Sequence, residues 1–218
     1  MKLLLVRHGN TFAAGETPVR VGANEDLPLT PEGEDQARRL AAAMKAAGVQ
    51  PNLWVAGPLK RTQRHAHVLM TEFNAEGAME TDPRLTEIDY GPWGGLSDAE
   101  IIDRFGPEAE AELAAWEKAS RWPEKTARWS PGSGAVTANV RALAGELEAR
   151  AAGGTALVCS SNGILRYFLE LTGEGLSAHQ AEGKAKMSTG AASLLDIENG
   201  RARVRFWNVR AGEPLPLA

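Results

Sequence analysis

Only one cysteine occurs in the 218 residues, so the chain cannot form an internal disulfide. Cys159 stands inside the apolar run Ala156-Leu157-Val158-Cys159, and this setting predicts a buried, small hydrophobic side chain rather than a reactive thiol. The sequence therefore gives no support to a disulfide-stabilised domain or to thiol chemistry.

The chain also lacks a cluster of basic residues. Lysine and arginine together number 24 against 28 aspartate and glutamate residues, which gives a formal net charge of −4. The absence of a basic block argues against a nucleic-acid partner and against a polybasic membrane-binding patch. An anionic ligand must therefore be attracted by charges local to its site.

Long hydrophobic runs are missing as well. Met1 is followed by one lysine and only four apolar residues, too few for the apolar part of a secretion signal, and no stretch has the length of a membrane span. We therefore expect a cytoplasmic protein without a membrane partner. With 43% hydrophobic and 24% charged residues, the composition is that of an ordinary globular protein with a substantial core.

Apolar strands alternate with amphipathic helices along the chain. The patterns predict buried strands at 3–6, 53–56 and 155–159 and helices at about 31–47, 59–73, 107–119 and 136–152, with a further helix beginning at Ser161-Asn162-Gly163. Apolar-rich runs at 191–197 and 202–209 flank Asn199-Gly200, a pair typical of a two-residue hairpin. This order predicts an α/β fold, a three-layer sandwich in which helices flank a mainly parallel sheet.

Residues 85–132 interrupt that alternation with a loop rich in glycine and proline and with a capping box at Ser97-Asp98-Ala99-Glu100. We expect this segment to be a lid or insertion within a single domain that covers residues 1–218. Trp116, Trp122 and Trp129 lie in it, and we expect them to pack in the core, with contact to a substrate as the alternative.

Polar residues follow three of the predicted strands, at the edge where an open parallel sheet binds ligands. The first strand ends in Arg7 and His8, the second leads to Arg61, and the third leads to residues 160–162. Arginine offers a planar fork of donors that matches a phosphate dianion, and a neutral imidazole can attack phosphorus. We therefore expect these groups to converge on one phosphate.

Arg61 is unusual because it stands in the first turn of a predicted helix, where a cation opposes the helix dipole unless an anion lies between them. The alternative is a solvent-exposed arginine beside Arg64.

Four separated segments resemble the histidine phosphatase superfamily, which contains cofactor-dependent phosphoglycerate mutases and many acid-type phosphomonoesterases. Segment 7–11 is similar to that family's Arg-His-Gly-x-Thr signature, and segment 57–61 is similar to its Ser-x-Leu-x-Arg segment, with Gly57 in the serine position. Segment 85–91 resembles its Leu-x-Glu-x-x-x-Gly segment, and segment 26–33 resembles the loop that leads into its first helix. The resemblance covers nearly the whole chain and implies a phosphoglycerate mutase-like fold.

The same resemblance implies the roles of the site residues. His8 is expected to be the phosphorylated nucleophile, Arg7 and Arg61 to clamp the phosphate oxygens, and Glu87 to exchange a proton with the leaving oxygen. His8 must then be neutral, with its second ring nitrogen held by an acceptor such as a backbone carbonyl. No metal or cofactor is expected. Further substrate-binding residues are expected at Asn10, Thr11, Ser161 and Asn162.

One position departs from the family pattern, because Ser161 stands where the second histidine of a Ser-His-Gly segment belongs. A hydroxyl donates one hydrogen bond but brings no positive charge, and the loss of one preorganised donor typically costs about a hundredfold to a thousandfold in turnover. Asn162, His65 or His179 could replace it. A gain in turnover from Ser161→His would indicate an incomplete site, whereas no change would mean that another group already fills the role.

The leading hypothesis is therefore a metal-independent phosphomonoesterase that acts on a small phosphorylated metabolite through a phosphohistidine. A phosphoglycerate mutase is the first alternative, although Ile88 and Asp89 follow Glu87 where mutases carry Glu-Arg-His-Tyr-Gly. A phosphate-ester-binding protein with weak or no turnover is the second alternative, because of Ser161. The resemblance also leaves a homodimer open.

Overall fold

The strands form one mixed sheet in the computed structural model, which describes residues 1–75 and 77–217. Six strands lie in this part of the chain, and they pair in the order β3-β2-β4-β1-β5-β6. Their bounds are β1 Lys2–Arg7, β2 Leu53–Ala56, β3 Glu80–Thr81, β4 Thr155–Ser160, β5 Ala192–Glu198 and β6 Arg201–Val209. The three pairings among the first four strands in this order are parallel, and β5 pairs antiparallel with both β1 and β6.

Seven α-helices flank the sheet in the same described residues. They are α1 Pro31–Ala46, α2 Lys60–Glu72, α3 Asp98–Phe105, α4 Pro107–Ala119, α5 Ser133–Ala151, α6 Asn162–Leu165 and α7 Gly175–Ala181. Short 3-10 helices lie at Pro83–Leu85, Gly91–Trp93 and Arg166–Leu171.

Alternate side chains of the strands enter two separate hydrophobic clusters, as the two-residue period of a strand requires. On one face Leu4, Val6 and Leu157 pack against apolar residues of α1 and α2. On the other face Leu3 and Leu5 pack against α3, α4, α5 and the segment that follows β4. Both faces of the sheet are therefore covered, which confirms the three-layer α/β sandwich.

Local signals in the sequence account for most element boundaries. Thr30 caps α1 by accepting from the Gly33 amide, and Ser97 and Glu100 form the expected capping box at α3. Asn199 and Gly200 both have positive φ angles, 51° and 72°, as a tight hairpin turn between β5 and β6 requires.

Three elements differ from the sequence prediction. The helix expected after Ser161 is α-helical only over Asn162–Leu165 and continues as a 3-10 helix to Leu171. Strand β3 has two residues and helix α7 has seven, and neither was predicted because such short elements carry too little periodic pattern.

The tryptophans of residues 85–132 form an aromatic cluster around Trp129. Its ring contacts Tyr90, Trp93, Trp116 and Trp122 at centroid distances of 4.8–5.6 Å. The prediction of core packing is therefore confirmed for Trp129, whereas Trp116 also lines the cavity described below. Cys159 is fully buried, as predicted, and burial raises the pKa of its thiol.

No helix among the described residues combines the length and the apolar character that crossing a membrane would require.

Candidate active site

A cavity of about 770 Å³ opens where β1 and β4 end. The register pairs Arg7 with Ser160, and Ala56 with Cys159, so the residues that follow the three parallel strands lie side by side. The strand ends thus converge, as the sequence predicts. Six of the predicted site residues line the cavity: Arg7, His8, Asn10, Thr11, Glu87 and Asn162.

His8 presents a neutral imidazole to this cavity. Its Nδ1 lies 2.8 Å from the carbonyl oxygen of Gly9, and because a carbonyl can only accept, Nδ1 carries the proton and Nε2 is unprotonated. Burial, reinforced by the charges of Arg7 and Arg61, lowers the pKa of His8 well below its ordinary value of 6.5. The geometry therefore leaves Nε2 with a free lone pair, the state that a nucleophile needs.

A second histidine fixes the turn that follows His8. His65 is fully buried, and its Nδ1 accepts a hydrogen bond of 3.0 Å from the Gly9 amide. Gly9 therefore connects the two imidazoles, because its N–H donates to His65 and its carbonyl accepts from His8. A Cβ at Gly9 would collide with the backbone of Gly33, so the close approach requires glycine. Burial lowers the pKa of His65 to about 4, which keeps the ring neutral and able to accept.

Glu87 also lines the cavity, and two backbone amides hold its carboxylate. Its Oε1 accepts from Ile88 N at 2.8 Å, and its Oε2 accepts from Gly163 N, in α6, at 3.0 Å. The side chain is buried, and a carboxylate offers about four lone-pair positions, so each oxygen keeps one for a ligand or a proton. This arrangement fixes the carboxylate without using up its capacity to exchange a proton.

Arg7 and Arg61 are placed differently from each other. Arg7 lines the cavity, and its Nη1 donates to the carbonyl of Met187 at 2.5 Å. Arg61 is fully buried, so the alternative of an exposed arginine beside Arg64 is wrong. Its Nη1 donates to Glu25 O at 2.8 Å, and its Nη2 donates to the Gly22 and Val21 carbonyls at 3.0 and 3.3 Å.

This geometry differs from the expected clamp, in which Arg7 and Arg61 both bind the phosphate oxygens. The terminal nitrogens of Arg61 bind carbonyls of the 9–29 loop, and Arg61 does not line the cavity. Its charge still acts on His8. Sequence motifs identify the residue but cannot show that its hydrogen bonds are made with a loop almost 40 residues away.

A second buried arginine lies beside the site, and the sequence motifs do not identify it. Arg166 is 2% exposed; its Nε donates to Asn162 O at 3.3 Å and its Nη1 donates to Ser120 Oγ at 2.9 Å. Its guanidinium lies 4.1 Å from the centroid of the Trp116 ring. A sequence signal was present, since Arg166 is a lone cation in the apolar run Ile164-Leu165-Arg166-Tyr167-Phe168-Leu169.

Three guanidinium groups contribute positive charge to the site. Arg7, Arg61 and Arg166 form no ion pair with any carboxylate among the described residues. Glu87 is an acidic neighbour of all three, and Tyr90 is kept neutral because burial raises its pKa. Asp26 and Glu25 are further acidic neighbours of Arg61, and Glu117 is one of Arg166. Because a buried charge without an ion-pair partner is costly, the three guanidinium groups still favour the binding of a dianion.

Two amide side chains are oriented to donate into the cavity. The Oδ1 of Asn10 accepts from Gln36 Nε2 at 3.2 Å and from Thr189 Oγ1 at 2.5 Å. The Oδ1 of Asn162 accepts from Met187 N at 2.8 Å. These donors fix the amide orientations, so the NH₂ groups of both residues, which line the cavity, are available to a ligand.

Ser161 is buried beside Asn162, and its hydroxyl has no hydrogen-bond partner among the described residues. It does not line the cavity. His65 cannot replace the absent histidine because its Nδ1 is bound to Gly9, and His179 lies in α7 against Thr172, with Nε2 3.3 Å from Oγ1. Of the groups considered from the sequence, only Asn162 reaches the cavity.

The outer part of the cavity has apolar and charged walls. Its apolar surface comes from Phe12, Val19 and Trp116, among others. Its charged residues largely neutralise one another: Arg20 pairs with Asp98 at 2.9 Å, and Lys186 pairs with Glu117 at 3.2 Å, while Glu16 adds a further carboxylate.

Within residues 1–75 and 77–217, no group of three or more His, Cys, Asp or Glu side chains is arranged to hold a metal ion.

The chain is similar to known proteins in sequence and in fold. A family model described as the histidine phosphatase superfamily (branch 1) matches residues 3–210. The 2,3-bisphosphoglycerate-dependent phosphoglycerate mutase of Corynebacterium diphtheriae is 30% identical over 123 residues, which are 56% of this chain and 48% of that protein. The enzyme of the same name from Methylocella silvestris is 32% identical over 114 residues, 49% of this chain and 51% of that protein. The chain thus spans about half the length of the curated relatives it matches.

Solved structures share the whole fold at lower identity. A mycobacterial glucosyl-3-phosphoglycerate phosphatase, solved with inorganic phosphate, has a TM-score of 0.76 at 24% identity, covering 97% of this chain and 99% of that one. The α-ribazole phosphatase of Shigella flexneri has a TM-score of 0.72 at 22% identity, covering 97% and 98%. These likenesses confirm the phosphoglycerate mutase-like fold expected from the sequence.

Proposed function

Because the chain belongs to the histidine phosphatase superfamily, we propose that it is a phosphomonoesterase that acts on a small phosphorylated metabolite through a phosphohistidine at His8. The single observation that carries this proposal is the neutral imidazole of His8, held through Nδ1–H by the Gly9 carbonyl within reach of the charges of Arg7 and Arg61. A free nucleophilic nitrogen and a cationic pocket are the two requirements of phosphoryl transfer to histidine.

In the first half-reaction, Nε2 of His8 attacks phosphorus and the bond between phosphorus and the ester oxygen breaks. Protonated Glu87 gives its proton to the leaving alcohol. Arg7 binds the nonbridging oxygens, while the charge of Arg61 and the amide donors of Asn10 and Asn162 stabilise the negative charge on them. Thr11, which also lines the cavity, donates a further hydrogen bond.

In the second half-reaction, Glu87 is ionised and accepts a proton from water, whose oxygen attacks the phosphohistidine. The bond between phosphorus and Nε2 breaks, inorganic phosphate leaves, and His8 returns to its neutral form. The hydrogen bond from Nδ1 to Gly9 stabilises the ring throughout, because it fixes the tautomer and orientation.

The volume and the charges of the cavity indicate the size and the charge of the substrate's alcohol part. A volume of about 770 Å³ is much larger than a phosphate group needs, so the alcohol part can be as large as a sugar or a nucleoside. The paired charges and apolar patches of the outer wall suit a neutral alcohol. The solved relatives act on glucosyl-3-phosphoglycerate and α-ribazole phosphate, according to their names, which supports a phosphatase acting on a bulky ester.

A phosphoglycerate mutase is the second candidate function, favoured by the names of the curated relatives. The outer cavity opposes it, because its two cations, Arg20 and Lys186, are already paired with carboxylates and leave none for the carboxylate of a glycerate. A phosphate-binding protein without turnover is the third candidate, and the unpartnered hydroxyl of Ser161 favours it.

The test is phosphate release from phenyl phosphate, a hexose phosphate and 3-phosphoglycerate, measured for the wild type, for His8→Ala and for the control His67→Ala. His67 is an exposed histidine of the same chain. We expect His8→Ala to lower kcat by at least about a thousandfold and His67→Ala to leave it unchanged.

Unchanged turnover in His8→Ala would contradict the proposal. Conversion of 3-phosphoglycerate to 2-phosphoglycerate without net phosphate release would support the mutase. Binding of phosphate by calorimetry, with no hydrolysis of any ester, would support the binding protein.

A further inference from the structure

Arg166 is a buried cation whose contacts are all with neutral groups. Its Nε donates to the Asn162 carbonyl, its Nη1 donates to the Ser120 hydroxyl, and its guanidinium stacks on the face of Trp116. Ser120 is itself fixed, because its hydroxyl donates to Gln180 Oε1 at 2.9 Å. The protein therefore fixes this guanidinium through contacts with neutral groups, without an ion pair to a described carboxylate.

The position of Arg166 relates it to the catalytic centre. Two of the residues it contacts, Asn162 and Trp116, line the cavity. Glu87 and Glu117 are neighbouring carboxylates, Tyr90 is a neighbouring neutral phenol, and the charge of Arg166 acts on Arg7. Arg166 therefore adds positive charge to the same volume as Arg7, five residues along the chain from the serine that stands in place of a histidine.

We propose that Arg166 supplies the positive charge that the absent second histidine would bring. It is a positioning residue, because it contacts Asn162 and Trp116 and does not itself line the cavity. This inference rests on the proposed phosphoryl-transfer function. Ser161 brings no charge, and its hydroxyl does not line the cavity. The guanidinium stabilises the negative charge that develops on the phosphoryl oxygens, and it orients the Asn162 backbone that starts α6.

The low polarity of the surroundings makes such a charge effective at a distance. A buried cation interacts more strongly with a developing anion than a solvated one does, because little water screens it. Since Arg166 does not line the cavity, its effect should be smaller than that of a donor in direct contact, about 10-fold to 100-fold in kcat.

A double-mutant cycle tests this role with p-nitrophenyl phosphate as the substrate. The proteins are the wild type, Arg166→Gln, Ser161→His and the double variant, and kcat and KM are measured separately. We expect Arg166→Gln to lower kcat about 10-fold to 100-fold with less than about a threefold change in KM. Ser161→His should change the wild type by less than about threefold but raise kcat of Arg166→Gln at least tenfold.

Two further variants distinguish the loss of charge at Arg166 from a general effect of substitution on folding. Arg166→Lys keeps the charge and should retain most of kcat, whereas Arg166→Gln should not. Arg141→Gln is the matched control, since Arg141 is an exposed arginine that donates to a backbone carbonyl, Glu170 O, at 2.8 Å. It should leave kcat unchanged.

Binding of orthovanadate by calorimetry gives a readout that does not depend on turnover. We expect Arg166→Gln to weaken vanadate binding about 10-fold to 100-fold. An unchanged dissociation constant would overturn the inference, as would equal effects of Ser161→His in the two backgrounds or equal losses in Arg166→Lys and Arg166→Gln. Failure of the proposed function is a separate result, namely phosphate release that does not depend on His8.

Discussion

At the scale of single residues, the site depends on one glycine that links two histidines. Gly9 donates its N–H to His65 and accepts from His8 through its carbonyl, at 3.0 and 2.8 Å. His65 must be neutral to accept, and burial keeps it so by lowering its pKa to about 4. The orientation of His8, the proposed nucleophile, therefore depends on the protonation of a residue that does not line the cavity.

The buried His65 also couples stability to pH. Its pKa is about 4 in the folded protein and about 6.5 in the unfolded chain, so the unfolded chain binds the proton more readily below pH 6.5. Its stabilising effect is thus complete above about pH 6.5 and is lost as the pH falls towards 4. From pH 7 to pH 5, the free energy of unfolding of the wild type should fall by about 2 kcal/mol more than that of His65→Gln.

Urea unfolding of the two proteins at both pH values measures this difference, with His67→Gln as a control that should behave like the wild type. The same pH dependence in wild type and His65→Gln would contradict the role of His65.

At the scale of elements, the short helix α6 holds the carboxylate of Glu87, the proposed acid. The Gly163 amide of α6 donates to Glu87, and a Cβ at Gly163 would collide with that carboxylate. The close approach of helix and carboxylate therefore depends on glycine at this position, and it couples the end of β4 to the segment at residues 85–91.

Gly163→Ala should displace the Glu87 carboxylate and impair protonation of the leaving group. An alkyl phosphate has a poor leaving group and needs this proton, whereas p-nitrophenyl phosphate needs it much less. We expect kcat to fall about 100-fold for a hexose phosphate and less than about tenfold for p-nitrophenyl phosphate.

Steady-state kinetics with the two esters measures this difference in the loss of kcat. Gly145→Ala is the matched control, because Gly145 is a helical glycine of α5 with no neighbouring atom near its Cβ position. It should leave both activities unchanged. Equal losses for the two esters in Gly163→Ala would show that Glu87 is not the proton donor.

At the scale of the whole molecule, a protein with a formal net charge of −4 concentrates three arginines, two of them buried, at one edge of its sheet. The sequence predicts this edge because Arg7 and His8 follow an apolar strand and because parallel strands end together. It also predicts the neutral His8 with its backbone acceptor. The sandwich and most of its helices follow from periodicity and from caps such as Thr30.

Other features could not be predicted because they depend on contacts between distant segments. The bonds of Arg61 to the 9–29 loop and that of Arg166 to Ser120 join residues 36 to 46 positions apart, which leave no local pattern. Gly57 is a further example. The motif shows that glycine stands in the serine position, but the cause is a tertiary contact. A Cβ there would lie 2.6 Å from the carbonyl of Leu85.

The central claim is that His8 carries the phosphoryl group, and direct trapping tests it. Glu87→Gln should slow attack by water, so that incubation with p-nitrophenyl phosphate followed by an alkaline quench accumulates the intermediate. Mass spectrometry of the digested protein should then find one acid-labile phosphoryl group on the peptide containing His8, and none on that peptide in a Glu87→Gln, His8→Ala double variant. Continued hydrolysis by the wild type with the phosphoryl group absent from His8, or found on another residue, would contradict the account.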